Sequence, residues 1–283
     1  MKILISGVAG FVGSHLADYL IEKGHRVIGI DNLSTGDETN FNLKIKKFYK
    51  QDIKNVDSKI IEYEKPDWIF HLAANCRTFL SVEDPMFDME NNIKGTLNML
   101  LMARDNKVKR FVFASSCIVN SPNTPYYVSK LAGEEYCRVF NSLYGLSTIS
   151  LRYSNVYGSL RQSEKGSHIN ALASLHKSKR DTGRVWITGT GEQKRDWTSV
   201  YDICRANLLA AKSNLNGVFD ICTGVNTSMN EIAEYFDCPI DYVKEAKGDH
   251  MNLSEKQDPR PAKNLLGYEY KIKLNKESLS PYL

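Results

Sequence analysis

The chain has 283 residues and a mass of 32.1 kDa, which is enough to bury one large core or two smaller ones. Its 42% apolar and 25% charged residues are average for a globular protein and exclude a fibrous or disordered chain. A net charge of +4 is too small a basic surplus to favour nucleic acid as a partner. No apolar run approaches the ~20 residues of a membrane span, and the chain opens with a strand pattern instead of a leader, so we expect a cytoplasmic protein.

Six cysteines are scattered along the chain without a C-x-x-C pair or histidines at ligand spacing. This arrangement does not predict zinc or any other metal, because such sites need closely spaced ligands. We expect free thiols in a reducing compartment.

The first part of the chain, residues 1–158, alternates short β-branched or aromatic runs with helical patterns. The six runs are K-I-L-I-S, R-V-I-G-I-D, K-F-Y, D-W-I-F-H-L-A, R-F-V-F-A-S-S and S-T-I-S-L-R-Y. Several are nearly continuously apolar, as strands covered by helices on both faces must be. This pattern predicts an α/β fold with a doubly wound parallel sheet.

Beyond Gly158 the pattern loosens into shorter and more polar segments. It predicts strands at 185–187 and 218–221 and helices at 202–212, 229–236 and 259–266. We expect residues 159–195 and 226–283 to form a smaller substrate-binding lobe, and residues 196–225 to return to the sheet.

A glycine-rich turn follows the first strand, where G-V-A-G-F-V-G precedes a helical pattern with glycines at positions 7, 10 and 13. Such spacing allows a tight turn and lets backbone N–H groups approach a pyrophosphate at the helix N-terminus. Asp31, eighteen residues after Gly13, is placed to accept hydrogen bonds from an adenosine ribose, which predicts NAD and not NADP. If the strand order is that of a dinucleotide fold, Asp52, which follows the predicted strand at K-F-Y, is in reach of the adenine amino group. The alternative is a tight corner with two capping carboxylates.

Tyr126 and Lys130 stand four residues apart in a helical pattern, so their side chains share one face. A nearby ammonium and a cationic nicotinamide ring both favour the phenolate, which makes the tyrosine a usable base near neutral pH. Ser116, at the end of a predicted strand, is positioned to hydrogen-bond the same substrate hydroxyl. On its own, a Tyr-x-x-x-Lys pair also arises by chance.

These motifs together resemble the extended short-chain dehydrogenase/reductase family, and within it the nucleotide-sugar epimerase/dehydratase group. The matching segments include G-V-A-G-F-V-G-S-H-L, I-D-N-L-S-T-G, N-N-I-K-G-T-L-N-M-L, Y-Y-V-S-K-L-A-G-E, L-R-Y-S-N-V-Y-G and G-T-G-E-Q-K-R-D-W. The resemblance implies a Rossmann-type NAD-binding domain and a catalytic set formed by Ser116, Tyr126 and Lys130.

The resemblance also implies ligand contacts for other residues. Besides the three glycines, Asp31, Asp52 and the catalytic tyrosine and lysine, the implied cofactor-binding residues are Phe11, Val12, Asn32, Ile53, Leu72, Ala73, Ala74, Asn92 and Tyr153. The implied substrate-binding residues are Asn155, Arg195 and Arg260. Members of this family commonly form homodimers through a four-helix bundle, for which the predicted helices 87–104 and 126–144 are candidates.

The residues after Ser116 favour one reaction within the group. Related dehydratases carry an Asp-Glu pair where this chain has Cys117 and Ile118. We therefore expect a nucleotide-sugar 4-epimerase acting on a UDP-hexose or UDP-N-acetylhexosamine. Tyr126 would take the 4-hydroxyl proton while hydride moves to NAD, and hydride would return to the other face of the 4-keto sugar. A 4,6-dehydratase, a 4-keto-sugar reductase and a non-catalytic NAD-binding regulator are the alternatives.

Two departures from the family pattern affect the substrate site. Only nine residues separate Ser116 from Tyr126, and V-N-S stands at 119–121, so we expect a shorter rim around the sugar. Near the C-terminus, Ala246 replaces an arginine that the family usually has, and Arg260, Lys244 or Lys247 are candidates to compensate. The residue that gates N-acetylated sugars, within 253–255, is not assigned.

Overall fold

The computed structural model describes residues 1–40, 42, 44–120, 123–162, 170–244 and 257–283. Its strands are β1 (Lys2–Ser6), β2 (Arg26–Asp31), β3 (Lys47–Lys50), β4 (Trp68–His71), β5 (Arg110–Ser116), β6 (Thr148–Tyr153), β7 (Asn155–Tyr157), β8 (Val185–Thr188), β9 (Lys194–Ser199), β10 (Gly217–Ile221), β11 (Asn226–Ser228) and β12 (Ile240–Val243). Its α-helices are α1 (Phe11–Glu22), α2 (Lys59–Glu64), α3 (Thr78–Glu83), α4 (Pro85–Met89), α5 (Gly95–Asp105), α6 (Pro125–Tyr144), α7 (Ala171–Thr182), α8 (Val200–Lys212) and α9 (Met229–Glu234).

Shorter helical segments complete the described chain. Three of them are 3₁₀ turns, at Glu38–Asn40, Cys117–Asn120 and Ser280–Tyr282. Two are π-helical, at Glu90–Lys94 and Ala262–Leu266.

The main sheet has seven parallel strands in the order β3-β2-β1-β4-β5-β6-β10. The six strands predicted between residues 2 and 153 are all present, and the predicted doubly wound α/β fold is confirmed. The strand order reverses between β1 and β4, and ligands of such sheets bind beyond the carboxyl ends of the strands at this reversal.

Two apolar clusters cover the two faces of the main sheet. One includes side chains of α1 and α8, and the other includes side chains of α2, α5 and α6. Because both faces are covered, the central strands are buried on both sides, which explains their nearly continuous apolar sequences. A third cluster, centred on Tyr157, Leu175, Ile232 and Phe236, forms the core of the C-terminal lobe.

The C-terminal part of the chain contributes to both regions. Strand β10 pairs with β6, and α8 packs on α1, so this stretch lies on the main sheet. The antiparallel pair β11-β9, the parallel pair β9-β7 and the parallel pair β12-β8 build the smaller lobe. Ala262, Leu266 and Tyr268 pack in the main-sheet core, which differs from the expectation that all of 226–283 belongs to the lobe.

Several predicted elements differ in detail from those observed. The single helix expected at 87–104 is three consecutive segments, because the π turn at Glu90–Lys94 interrupts α4 and α5. A π turn turns the helix face locally, and here it directs Asn92 into the protein. The helices expected at 229–236 and 259–266 are shorter, and α7 and four short strands of the lobe were not predicted.

Among the described residues, no helix combines the length and apolar character that a membrane span requires. Some positions named in the sequence analysis lie outside the described residues: Ser121, Ala246, Lys247 and residues 253–255.

Candidate active site

A cleft of about 520 Å³ opens at the carboxyl ends of the parallel strands. Its walls come from the ends of all six strands β1 to β6, or from residues just past them, and include Gly7, Asp31, Gln51, Leu72, Ser115 and Tyr153. The cleft therefore lies where the strand order predicts a ligand site.

The glycine turn at the start of α1 packs too closely against neighbouring backbone to carry side chains at two of its positions. Gly7 has φ of +76°, and a Cβ there would lie 2.7 Å from the Ala73 nitrogen. A Cβ on Gly13 would lie 2.0 Å from the Gly7 carbonyl oxygen. The turn thus needs glycine at both positions, and it presents backbone at the N-terminus of α1 as pyrophosphate binding requires.

Asp31 links the turn to the next loop. Its Oδ2 accepts from the Ala9 N–H at 2.9 Å and its Oδ1 from the Leu33 N–H at 2.8 Å. The side chain is buried yet lines the cleft. A carboxylate at the end of β2 beside a glycine turn fits the ribose of a dinucleotide, so the residues present fit NAD.

Most of the predicted cofactor-binding residues line this cleft. They are Gly7, Gly10, Phe11, Val12, Gly13, Asp31, Asn32, Ile53, Leu72, Ala73, Ala74, Tyr126, Lys130 and Tyr153. Asp52 and Asn92 do not. Asp52 accepts from Asn32 Nδ2 at 3.0 Å, and Asn92 is buried behind the wall, where its amide bonds the backbone of Asn75.

Tyr126 and Lys130 lie on one face of α6, which begins beside the cleft. Thr124 caps the helix and Pro125 occupies its first turn. The Lys130 ammonium donates to the Ala114 carbonyl at 2.9 Å and lies 5.7 Å from the centre of the Tyr126 ring. Both side chains line the cleft and are almost fully buried.

Burial has opposite effects on these two groups. It raises the pKa of Tyr126 well above its usual value of 10, and the side-chain hydrogen bond with Ser116 lowers that pKa only in part. It lowers the pKa of Lys130 to about 8. In the protein alone, Tyr126 is therefore a neutral phenol at pH 7, and the adjacent lysine is cationic but easily deprotonated.

Ser116 lies at the end of β5, next to Tyr126 but outside the cleft lining. Its Oγ accepts weakly from the Ile118 N–H at 3.3 Å. The next two side chains, Cys117 and Ile118, are buried, and burial raises the pKa of the Cys117 thiol to about 12. Neither of them can exchange protons with a ligand near neutral pH.

The three predicted substrate-binding residues lie in different surroundings. Asn155, on β7, lines the cleft and donates to the Asp196 carbonyl at 3.2 Å. Arg195 lies on β9, and its charge lowers the pKa of Cys117, which places it near the end of β5. Arg260 is exposed and forms an ion pair with Asp258 at 2.8 Å, away from the cleft lining.

Sequence analysis missed several buried polar residues around the cleft. Glu134 follows Lys130 by one turn of α6 and forms a bidentate pair with Arg152, with both distances 2.7 Å. Asp88 is buried next to Asn92. The spacing of Tyr126, Lys130 and Glu134 was a usable signal, whereas nothing in the sequence around Asp88 indicated burial.

A glycine turn, a buried tyrosine and a lysine at one edge of a doubly wound sheet define a dinucleotide-dependent enzyme. A sequence profile of the NAD dependent epimerase/dehydratase family matches residues 3–222, which is more than half of the 283 residues. The chain belongs to this family. The predicted family and fold class are confirmed, and NAD is the cofactor of the family.

Several proteins that resemble this chain in sequence or structure are named as 4-epimerases of UDP-sugars. A UDP-glucose 4-epimerase of Mycolicibacterium smegmatis is 33% identical over 253 residues, covering 82% of this chain and 80% of the relative. The UDP-glucose 4-epimerase of Thermotoga maritima, crystallised with UDP-glucose, matches 100% of this chain and 97% of its own, with a TM-score of 0.92 and 35% identity. The UDP-glucuronic acid 4-epimerase of Bacillus cereus, in complex with UDP-glucuronic acid and NAD, matches 100% and 98%, with a TM-score of 0.88 and 27% identity.

Proposed function

We propose that this chain is an NAD-dependent 4-epimerase of a UDP-linked hexose. The observation that carries the proposal is the cleft itself, in which a glycine turn lies beside Tyr126 and Lys130. The relatives named above, all 4-epimerases of UDP-sugars, support the same activity. The buried Cys117 and Ile118 disfavour a dehydratase, because elimination of water needs an acid and a base that ionise near neutral pH.

Bound NAD supplies a reversible hydride acceptor for carbon 4 of the sugar. Tyr126 removes the proton of the 4-hydroxyl and returns it after the sugar has turned. Because burial raises the pKa of this phenol, it needs added positive charge before it can act as a base. Lys130 provides part of that charge, and a bound oxidised nicotinamide ring would supply the rest. The tyrosine is therefore a base only when the cofactor is in place.

Lys130 holds its ammonium in position through the Ala114 carbonyl. Ser116 hydrogen-bonds the phenol and orients the hydroxyl of the sugar.

Asn155 and Arg195 hold the nucleotide diphosphate, and Asn92 steadies the loop beside the nicotinamide. Asp52 accepts a hydrogen bond from the side-chain amide of Asn32, and it holds this asparagine at the adenine end of the cleft. Arg260 reaches the nucleotide only if its ion pair with Asp258 opens.

The regional organisation follows from these roles. Residues 1–158, together with about 196–225, bind NAD, and 159–195 with most of 226–283 bind the sugar nucleotide. A homodimer through the segments 87–104 and 126–144 fits the apolar side chains exposed on α4 and α6, among them Met89, Val128 and Leu143. The six unpaired cysteines and the NAD requirement agree with a cytoplasmic location.

The test is incubation of the purified protein with UDP-glucose, UDP-N-acetylglucosamine and UDP-glucuronic acid, with products followed by proton NMR. We expect interconversion at carbon 4 of at least one sugar and no accumulation of NADH. Tyr126→Phe should lower the rate about a thousandfold while NAD still binds. A stable 4-keto product would favour a dehydratase or reductase instead, and wild-type activity in Tyr126→Phe would favour a non-catalytic role for the site. Light scattering tests the dimer.

A further inference from the structure

Asp88 is a buried carboxylate close to the catalytic residues. It lies on α4 and is 1% exposed, although its neighbours Phe87 and Met89 on the same short helix are exposed. A charged group in such a place needs either an opposite charge or several hydrogen bonds. Its surroundings therefore indicate what it does.

Three neutral side chains surround this carboxylate. Asn92 Nδ2 donates to Asp88 Oδ1 at 2.8 Å, and Asn75 Nδ2 lies 3.4 Å from the same oxygen. The Ser129 hydroxyl bonds Asp88 from α6. Each partner belongs to a different segment, so the carboxylate joins the loop after β4, the π turn and α6.

These three segments carry the residues around the phenol. Ser129 lies between Tyr126 and Lys130 in sequence, and its Oγ lies 3.1 Å from the Tyr126 carbonyl oxygen, so its one hydroxyl proton serves either this oxygen or Asp88. Asn75 lines the cleft, and its N–H donates to Asn92 Oδ1 at 2.8 Å. A displacement of the carboxylate would therefore displace the side chains of Asn75, Asn92 and Ser129, which lie next to Tyr126.

A comparison with Glu134 shows why Asp88 is electrically distinct. Glu134 also lies near Lys130, but its charge is already met by Arg152 at 2.7 Å. Among the described residues, no arginine or lysine hydrogen-bonds Asp88, and no carboxylate hydrogen-bonds the Lys130 ammonium. Within the described part of the chain, Asp88 and Lys130 thus each lack a hydrogen-bonded ion-pair partner, and each charge acts on the pKa of the other.

We propose that Asp88 is a positioning residue whose buried carboxylate balances the charge of Lys130. It also holds in place the polar side chains around Tyr126, which are Asn75, Asn92 and Ser129. The inference rests on the proposed function, since it assigns a role in the proton exchange of Tyr126. Nothing in the chain's membership of its family assigns this aspartate.

Titratable groups approach Asp88 from α6 and from the loop after β4. Tyr126 and Lys130 face it from α6, and Cys76 approaches the same pair from the loop after β4. Of the charged side chains on the adjoining segments, Glu83 on α3, Asp84 before α4, and Glu90 and Lys94 on the π turn are exposed, and Arg77 in the loop after β4 is half-buried.

The negative charge of Asp88 acts in the same direction on both catalytic groups. It raises the pKa of Lys130 and that of Tyr126, in each case after the larger effect of burial. Removing the charge should therefore lower both pKa values. A purely structural residue would have no such effect.

The test is Asp88→Asn, which is nearly isosteric. Protein labelled with ¹³C at the lysine ε carbons is titrated by NMR without substrate, and the resonance of Lys130 is assigned from its loss in Lys130→Arg. Burial lowers the pKa of Lys130 to about 8 in the wild type, and we expect this lysine to titrate about one pH unit lower in the variant. An unchanged Lys130 titration would overturn the proposal. Asp88→Ser serves as a second neutral variant, and the same shift is required of it if Asp88→Asn does not fold.

Kinetics provide a second readout. Both limbs of the pH profile of kcat should move to lower pH in Asp88→Asn, while NAD affinity stays within about twofold. A lower maximal kcat with unchanged apparent pKa values would mean that Asp88 only holds neighbouring side chains in place, and it would contradict the proposal. The matched control is Asp84→Asn on the same helix, because Asp84 is exposed and caps α4 through the Phe87 N–H, which an asparagine can also do. If the wild type epimerises no sugar, the proposed function fails. The titration still shows whether the Asp88 carboxylate balances the charge of Lys130.

Discussion

The two ends of the cleft are built in different ways. At the proposed cofactor end, part of the wall is bare backbone, because Gly7 and Gly13 leave no room for side chains. At the proposed catalytic end, the buried ionisable side chains of Tyr126 and Lys130 line the cleft, and the buried Glu134 follows them one turn further along α6. The first end is determined by steric contacts, which leave no room for a Cβ at Gly7 or Gly13. The second is determined by the balance of buried charges, which responds to pH and to neutralising substitutions.

Gly13→Ala should produce the largest loss of stability. The new Cβ would lie 2.0 Å from the Gly7 carbonyl oxygen, and neither backbone segment can move without opening the turn. We expect a loss of about 4 kcal/mol in unfolding free energy, together with loss of NAD binding, measured by urea denaturation and calorimetry. Gly10→Ala is the matched control, since its Cβ would lie 3.3 Å from the same oxygen and should cost far less. Equal losses of unfolding free energy in the two variants would show that steric contacts do not determine the structure of the glycine turn.

Arg152→Met tests the charge balance at the other end. It leaves Glu134, whose side chain is 3% exposed, without its bidentate partner. We expect a loss of about 3 kcal/mol by urea denaturation. The double variant Glu134→Met with Arg152→Met should recover most of that loss, because no unpaired charge remains buried. A double variant as unstable as Arg152→Met would contradict the idea that charge balance dominates here.

His71 is buried beneath the cleft, and its titration should have a smaller effect on stability that depends on pH. Its ring bonds Ser6 at 2.7 Å and Thr96 at 3.0 Å, and burial lowers its pKa to about 3. Between pH 6.5 and 3 the unfolded chain binds a proton at this residue and the folded chain does not, so stability is lost as pH falls. From pH 6.5 to 4.5 the loss should be roughly 2 to 3 kcal/mol.

The slope should become much shallower in His71→Asn. His25→Asn is the control, because His25 is less buried and its removal should change the slope little. A slope that survives in His71→Asn would assign the acid sensitivity to other groups.

The same contrast explains what the sequence could predict. The glycine turn and the strands depend on local patterns, so the positions of Gly13, Asp31 and β1 to β6 were predictable. The pairing of Glu134 with Arg152 depends on contact between α6 and β6, and the burial of Asp88 depends on the π turn. Such tertiary contacts leave little periodic trace in a single sequence.

Residue roles were harder to predict than positions. Asn92 was expected at the nicotinamide, but the π turn directs it behind the cleft wall, where it bonds Asn75. Arg260 was expected to bind substrate, and it lies on the surface beside Asp258. Their contacts with ligand stay predictions. A resemblance assigns residue types to a site, whereas the local backbone decides which side chains reach it.

The most direct test of the central claim follows the hydrogen at carbon 4. UDP-galactose carrying deuterium at this carbon is incubated with the enzyme in ordinary water, and the UDP-glucose formed is examined by NMR and mass spectrometry. If Tyr126 exchanges only the hydroxyl proton and hydride leaves and returns within one cleft, the product keeps its deuterium at carbon 4. Epimerised product that has lost this deuterium to water would contradict the account.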